Sequence, residues 1–250
     1  MPPVLSSIAL QYVPGSPADG LYKTVLTVSR IIYSIGDMKR TLLSQQCHIQ
    51  QIVARIYGAG RGKAFTPRDF IDLAEAATVR QALGRLARAG KIRRLLRGVY
   101  DYPAFSKVLQ SPASPDPHEI ARAISRAHGW TILPSGETAL NLLGLSTQVP
   151  ARWEYFSDGP SKRYAWHGGE LLFKRRANRE TTILSARTGL LVQALKTLGR
   201  ERIGARVLAI LHRQFNAREL ARAAREARYT TAWVYEIIKL LAKEGTVSDA

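Results

Sequence analysis

Apolar residues recur every three or four positions in a first segment that begins at Gln45. This spacing places them on one face of a helix, and Gly58 and Gly60 predict where that helix ends. The apolar positions are Ile49, Ile52, Val53 and Ile56. The pattern therefore predicts a first amphipathic helix between Gln45 and Gly58.

Two further helices are predicted before residue 91. Thr66 and Pro67 are residue types favoured at an N-cap and at the first helical position. Thr78 and Gln81 stand three residues apart, as in a capping box, and predict the start of a third helix that ends at Gly90. The predicted apolar faces consist of Phe70, Ile71 and Leu73 in the second helix, and of Val79, Ala82, Leu83, Leu86 and Ala87 in the third.

A basic hairpin is predicted directly after the third helix. Residues 91–100 read KIRRLLRGVY, in which two β-prone segments flank a basic tip and Gly98 is placed for the turn. Three short helices followed by a hairpin have the element order of a winged helix. We therefore predict a winged helix-turn-helix DNA-binding domain over residues 38–102.

The polar side of the third helix carries residue types that read DNA. Arginine pairs with guanine edges and glutamine with adenine, whereas basic residues on the hairpin would contact phosphates. Gln81 has a second possible role, because it could instead close the capping box with Thr78. The candidate DNA-binding residues are Thr78, Arg80, Gln81, Arg85 and Arg88 on the helix, Lys91, Arg93, Arg94 and Arg97 on the hairpin, and Arg61, Lys63 and Arg68 before them.

A second domain is predicted over residues 118–250. Residues 103–117 are rich in proline and serine and are predicted to form a linker without helix or strand. The pattern beyond it mixes helices with strands, so the predicted fold class is α+β: a winged helix followed by a mixed α+β domain. The predicted elements are helices over 118–128, 135–143, 188–198, 204–211 and beyond, and 231–244, a short strand at 130–133, a hairpin of 153–156 with 162–166, and a third strand at 170–173.

The first 37 residues differ in composition from the rest, with several prolines and no clear period. Met38 is the only methionine besides Met1, and Lys39 and Arg40 follow it. Residues 1–37 are expected to be either a disordered extension or the product of a mis-assigned start.

Positive charge is concentrated in the predicted DNA-binding domain. The chain of 250 residues carries 37 Lys and Arg against 19 Asp and Glu, a net charge of +18. Residues 39–110 alone hold fourteen basic and four acidic residues, a net charge of +10. Such an uneven distribution favours a polyanionic partner, here double-stranded DNA.

Composition also indicates the compartment. A single cysteine, Cys47, excludes an intrachain disulfide and favours a reducing environment. The apolar stretch near the start is interrupted by Arg30 and is too short to span a bilayer, and no secretory signal is recognisable. We therefore expect a cytoplasmic protein with no membrane partner.

The evidence for catalysis is thin. The five histidines never stand at metal-ligand spacing with a cysteine or carboxylate, and no phosphate-binding loop of the usual spacing is present. We predict that the protein is not an enzyme and needs no metal or other cofactor. An alternative is a metal-dependent nuclease, for which Asp158, Glu170 and Lys174 are the candidate residues.

Four stretches carry a resemblance to a known family. They are TPRDF at 66–70, KIRRLLRGVY at 91–100, PSGETALNLLGLSTQVP at 134–150 and SDGPS at 157–161. With these motifs, roughly residues 45–203 resemble the AbiEi-type antitoxin family and its close relatives once filed as domains of unknown function. The third stretch is the most specific, since many regulators share the hairpin.

The resemblance implies a function. Members of that family join a winged-helix repressor to an antitoxin domain, repress their own promoter and antagonise a nucleotidyltransferase-like toxin encoded in the same operon. Antagonism there need not involve direct binding, so a cognate toxin is a possible partner rather than a necessary one. The alternative within the same class is a stand-alone winged-helix transcription factor without a toxin.

Overall fold

The computed structural model of the protein describes residues 46–176 and 184–247, together with residue 34. The chain divides into two compact units, residues 1–51 and 52–250. Apart from residue 34, the extension predicted over residues 1–37 lies outside the described residues. The second unit combines helices with three small sheets, so the predicted α+β class is confirmed.

Up to residue 101 the chain forms helical segments and a three-stranded antiparallel sheet of order β1-β3-β2. The buried side chains Phe70, Val79 and Leu83 hold the two helical segments that follow β1. The elements are α1 (46–59), β1 (Ala64–Phe65), a 3₁₀ turn (Pro67–Phe70), α2 (Ala76–Arg88), β2 (Arg93–Leu96) and β3 (Val99–Asp101).

Of the two helix starts predicted in this region, the one at Thr66 is confirmed and the one at Thr78 is wrong. The capping box at Thr66 does form, because the Asp69 carboxylate accepts a hydrogen bond from the Thr66 amide at 2.7 Å, but only one 3₁₀ turn follows it. Ile71, predicted to be apolar and packed, is 56% exposed. Helix α2 begins at Ala76, so Thr78 lies inside it and forms no capping box with Gln81.

The rest of the chain contains a four-stranded mixed sheet and a group of helices. The apolar sides of α4 to α8 share one cluster, in which Leu191, Leu195 and Leu211 are fully buried. The elements are β4 (Phe105–Ser106), β5 (Ser111–Pro112), α3 (Pro117–His128), β6 (Ile132–Pro134), α4 (Gly136–Leu142), β7 (Trp153–Ser157), β8 (Lys162–Trp166), β9 (Gly169–Arg175), α5 (Ala186–Leu198), α6 (Ala205–Gln214), α7 (Ala217–Glu226) and α8 (Ala232–Val247).

The hairpin predicted between residues 153–156 and 162–166 is also wrong. The sheet has the order β6-β7-β9-β8, so β9 separates the two strands that were expected to pair. Strand β9 runs parallel to β7, with Tyr155 opposite Phe173, and antiparallel to β8. Apolar alternation along each strand fits either arrangement, because it identifies a buried face but not a neighbour.

The segment predicted to be a linker contains structure. Strands β4 and β5 pair as a short antiparallel hairpin within residues 103–117. The elements on either side of it share one apolar cluster, in which Ala64 and Val99 pack with Ile120, Ile124 and Phe173. The predicted winged-helix and α+β segments are therefore packed together through α3.

Ion pairs reinforce this packing along α3. Arg126 contacts Asp69 at 3.0 Å and donates a second hydrogen bond to the Ala64 carbonyl at 3.0 Å. Lys63 contacts Glu119 at 3.0 Å. These contacts join α3 to β1 and to the 3₁₀ turn.

A half-buried carboxylate, that of Glu226, joins the end of α7 to the start of α5. One Glu226 oxygen accepts hydrogen bonds from the Ser185 amide and hydroxyl at 2.9 and 2.8 Å, and the other contacts Arg222 Nε at 2.6 Å. Burial of the carboxylate opposes ionisation, but hydrogen bonds from Arg222, Thr188 and Ser185 outweigh it. The pKa of Glu226 therefore falls from an ordinary 4.5 to about 2.

Glu226→Gln is expected to lower the free energy of unfolding at neutral pH by roughly 2 kcal/mol. Because the folded-state pKa of Glu226 is depressed, its contribution is complete above pH 4.5 and is lost as pH falls towards 2. Urea unfolding at several pH values measures this, with the exposed Glu236→Gln as the matched control. If Glu226→Gln is as stable as wild type at neutral pH, the Glu226 carboxylate does not stabilise the fold.

Candidate nucleic-acid interface

Helix α2 buries one side and exposes a basic one. Val79, Ala82, Leu83 and Leu86 are buried, and the opposite side carries three arginines and a glutamine. The space above Gly84 is open, since a Cβ added there would meet nothing within 4 Å. The exposed side consists of Arg80, Gln81, Arg85 and Arg88, and the predicted candidate Thr78 is half-buried at its margin.

The hairpin of β2 and β3 follows α2 after a short turn at Gly90. Leu96 pairs with Val99, so Arg97 and Gly98 form a two-residue loop. Gly98 has φ of 78°, the left-handed value that a type II turn requires at this position. The predicted hairpin is confirmed, and its exposed basic residues are Lys91, Arg94 and Arg97.

Arg93 differs from its neighbours on the hairpin. Its guanidinium forms two hydrogen bonds with the buried Asp101 carboxylate, at 2.6 and 3.1 Å, and one with the Ala113 carbonyl at 3.2 Å. This guanidinium group therefore already has its hydrogen-bond partners within the protein. In the structure Arg93 thus pairs β2 with β3 and holds the β4–β5 segment, and its predicted contact with DNA stays a prediction.

The three basic candidates before α2 are also bound internally. Lys63 pairs with Glu119, and Arg68 donates to the Ala127 carbonyl at 3.1 Å. Arg61 lies 4.6 Å from the centre of the Tyr102 ring and donates to the Pro103 carbonyl at 3.0 Å. All three residues are exposed despite these contacts, and their predicted contact with DNA stays a prediction.

Arg88 Nε donates to the Gly84 carbonyl at 3.4 Å. Five basic side chains remain that form neither an ion pair nor a hydrogen bond within the described part of the chain. They lie on two adjacent elements, the exposed side of α2 and the hairpin that follows it, which we call the α2–hairpin surface. Phosphate oxygens can be contacted by such unpaired guanidinium and ammonium groups without breaking an internal bond. The five residues are Arg80, Arg85, Lys91, Arg94 and Arg97.

The nuclease candidates are not brought together as a metal site. Asp158 Oδ1 accepts a hydrogen bond from the Thr131 amide at 2.9 Å. Lys174 pairs with Glu154 at 2.7 Å, whereas Glu170 contacts Arg152 and Arg163. Among the residues that the structure describes, no group of three or more His, Cys, Asp or Glu side chains could hold a metal ion.

The half-buried His118 and the buried Tyr155 form a pair, and His118 lines a cavity of about 520 Å³. His118 Nδ1 is 3.0 Å from the Tyr155 hydroxyl. Burial lowers the pKa of His118 and raises that of Tyr155. The cavity also has arginines in its wall, but Arg126 is paired with Asp69 and Arg187 with Glu219. Their charges are therefore compensated within the protein.

Sequence reasoning missed one basic surface. It predicted α7 only as part of a helical region, whereas the structure exposes Arg218, Arg222 and Arg225 along one side of it. The spacing of four and three residues between these arginines was the available signal.

Fold and surface together define an α+β protein with an exposed basic helix and hairpin. Residues 51–218 match a family of unknown function, DUF6088, and because the match spans well over half of the chain the protein belongs to that family. A search of curated proteins found no match.

The chain is similar to the crystal structure of the RV2827C protein from Mycobacterium tuberculosis. The two are 16% identical with a TM-score of 0.36, over 80% of this chain and 77% of that one. A likeness at this level supports no conclusion about function. No helix in the described residues is long and apolar enough to cross a membrane.

Proposed function

We propose that the protein is a DNA-binding transcriptional regulator whose α2–hairpin surface contacts the operator. The observation that carries the proposal is the separation of basic residues into two groups. Arg61, Lys63, Arg68 and Arg93 are bound internally, whereas the side chains of the five cations of the α2–hairpin surface form neither an ion pair nor a hydrogen bond with the described residues.

The element order supports a winged-helix interpretation of residues 46–101. A helix, a short strand, a helical turn, a second helix and a two-stranded hairpin follow one another, and β1 completes the sheet. In such domains the helix before the hairpin enters the major groove, and the hairpin lies on the backbone. Arg80, Gln81 and Arg85 would then read bases, since Gln81 is exposed and takes no part in a capping box.

The hairpin residues are expected to contribute affinity without sequence preference. Replacing Lys91, Arg94 and Arg97 together by alanine removes three phosphate contacts, each of which releases about 0.9 of a counterion. The plot of log affinity against log salt concentration should become less steep by about 2.7, equally for operator and random duplexes. Fluorescence anisotropy titrations over a salt series measure this slope. An unchanged slope and affinity would exclude the hairpin from the interface.

We also propose the antitoxin role that the resemblance implies. Its most specific stretch, residues 134–150, forms the end of β6, helix α4 and the loop after it. Thr138 Oγ1 accepts a hydrogen bond from the Glu154 amide at 2.8 Å, and Asn141 Nδ2 donates to the Gln148 carbonyl at 3.0 Å. These bonds give the motif a structural role in joining α4 to β7 and to its own loop.

The genomic neighbour tests the antitoxin role. If the adjacent gene encodes a nucleotidyltransferase, its expression alone should arrest growth, and co-expression of this protein should restore it. Repression of the shared promoter should require the α2–hairpin surface. Restoration of growth by a variant lacking Lys91, Arg94 and Arg97 side chains would separate antagonism of the toxin from DNA binding. A neighbour of another kind would favour a stand-alone transcription factor.

A further inference from the structure

Helix α7 exposes a straight row of arginines. Arg218, Arg222 and Arg225 stand four and three residues apart and extend about 10 Å along one side of the helix. The opposite side is buried through Leu220 and Ala223. Tyr229, which is 87% exposed, follows directly after the helix.

This row is rigidly positioned. The Asn216 side chain caps α7 by accepting from the Glu219 amide at 2.9 Å, and Glu226 holds its other end on Ser185. Arg222 is paired with Glu226, but Arg218 and Arg225 form no ion pair with any described residue. The helix therefore presents two uncompensated guanidinium groups at a fixed spacing.

Three helices build the region around this row. Leu211 and Phe215 at the end of α6 share a buried cluster with Leu220 of α7 and with Val234 and Ile238 of α8. A short segment with one 3₁₀ turn, Ala227–Tyr229, leads from α7 to α8. Two packed helices joined by a short turn, with a third helix packed into the same core, have the organisation of a helix-turn-helix unit.

The start of α8, which follows α7 after the short turn, is accessible. The Val234 and Tyr235 amides close its first turn on the Thr231 carbonyl, and Ala232 and Lys239 are exposed. Glu236 on the same side is the one acidic group in the first two turns of α8, and it lies 3.7 Å from Arg200. Arg200 thus partly compensates the negative charge of Glu236.

We propose that α6, α7 and α8 form a second helix-turn-helix unit that contacts duplex DNA, with Arg218 and Arg225 on phosphates and the start of α8 at the groove. Guanidinium groups bind phosphate oxygens in bidentate geometry, and the aromatic ring of Tyr229 can pack on the sugar-phosphate backbone beside them. The proposal goes beyond the α2–hairpin surface and does not depend on it, because the two surfaces share no residue.

The test uses the full-length protein with Arg218 and Arg225 both replaced by alanine, titrated with a random-sequence duplex over a salt series. Losing two phosphate contacts should make the slope of log affinity against log salt less steep by about 1.8. The matched control, Lys107→Ala with Lys162→Ala, removes two exposed charges elsewhere and should leave the slope near that of wild type. Equal slopes for the two double variants would overturn the proposal.

Three further measurements separate this surface from a structural or protein-binding role. Arg218→Lys with Arg225→Lys keeps the charges and should keep most of the slope. The alanine pair, combined with Arg80→Ala and Arg85→Ala, should show additive losses of affinity. If the alanine pair loses binding to a polyglutamate peptide but keeps wild-type DNA binding, the surface serves an acidic protein and the proposal is wrong.

Discussion

Replacing Arg80 and Arg85 by alanine is expected to narrow the difference in affinity between operator and random DNA. Each residue lies on the exposed side of α2 and has no ion-pair partner in the described structure. A bidentate contact to a base contributes about 1–3 kcal/mol of discrimination, so each substitution should cost roughly five- to 150-fold in specificity. The operator is the best duplex selected by the wild-type protein from a random library, and competition binding gives the ratio.

The stability of this double variant should stay close to that of wild type, because both side chains are exposed. The hairpin variant lacking Lys91, Arg94 and Arg97 side chains is its control, since it should weaken operator and random DNA equally. If the double variant discriminates as well as wild type, α2 is not the element that reads sequence.

Arg93→Ala and Arg94→Ala are expected to have opposite consequences although the residues are neighbours of the same type. Arg93→Ala leaves the buried Asp101 carboxylate without its partner and should lower the free energy of unfolding by about 3 kcal/mol. Arg94→Ala should change stability by less than about 0.5 kcal/mol, because its side chain is exposed. Chemical denaturation of both variants measures the difference.

The effects of the two substitutions on DNA binding should be the reverse of their effects on stability. At a temperature where both are folded, Arg94→Ala should weaken binding and Arg93→Ala should leave it nearly unchanged. Asp101→Asn should reproduce the destabilisation of Arg93→Ala, since it breaks the same pair from the other side. Equal stability of the two arginine variants would mean that the Arg93–Asp101 pair contributes little to the fold.

Local features of the sequence determined the elements around the proposed interface. The apolar stripe of α2 follows from residues spaced three and four apart, and Val79, Ala82, Leu83 and Leu86 are indeed buried. The hairpin follows from two β-prone segments and Gly98, whose left-handed backbone suits glycine. These features depend on side chains and dihedral angles within a few residues, so sequence patterns can predict them.

Tertiary structure alone decided which strands pair and which cations are available. Strand β7 lies beside β9 rather than β8, since strand order depends on packing between segments distant along the chain. Arg93 and Arg94 are indistinguishable as residue types, but only Arg93 faces a buried carboxylate across the sheet. Whether a basic residue is held inside the protein or left exposed to a partner depends on such a neighbour, which charge counts along the chain do not contain.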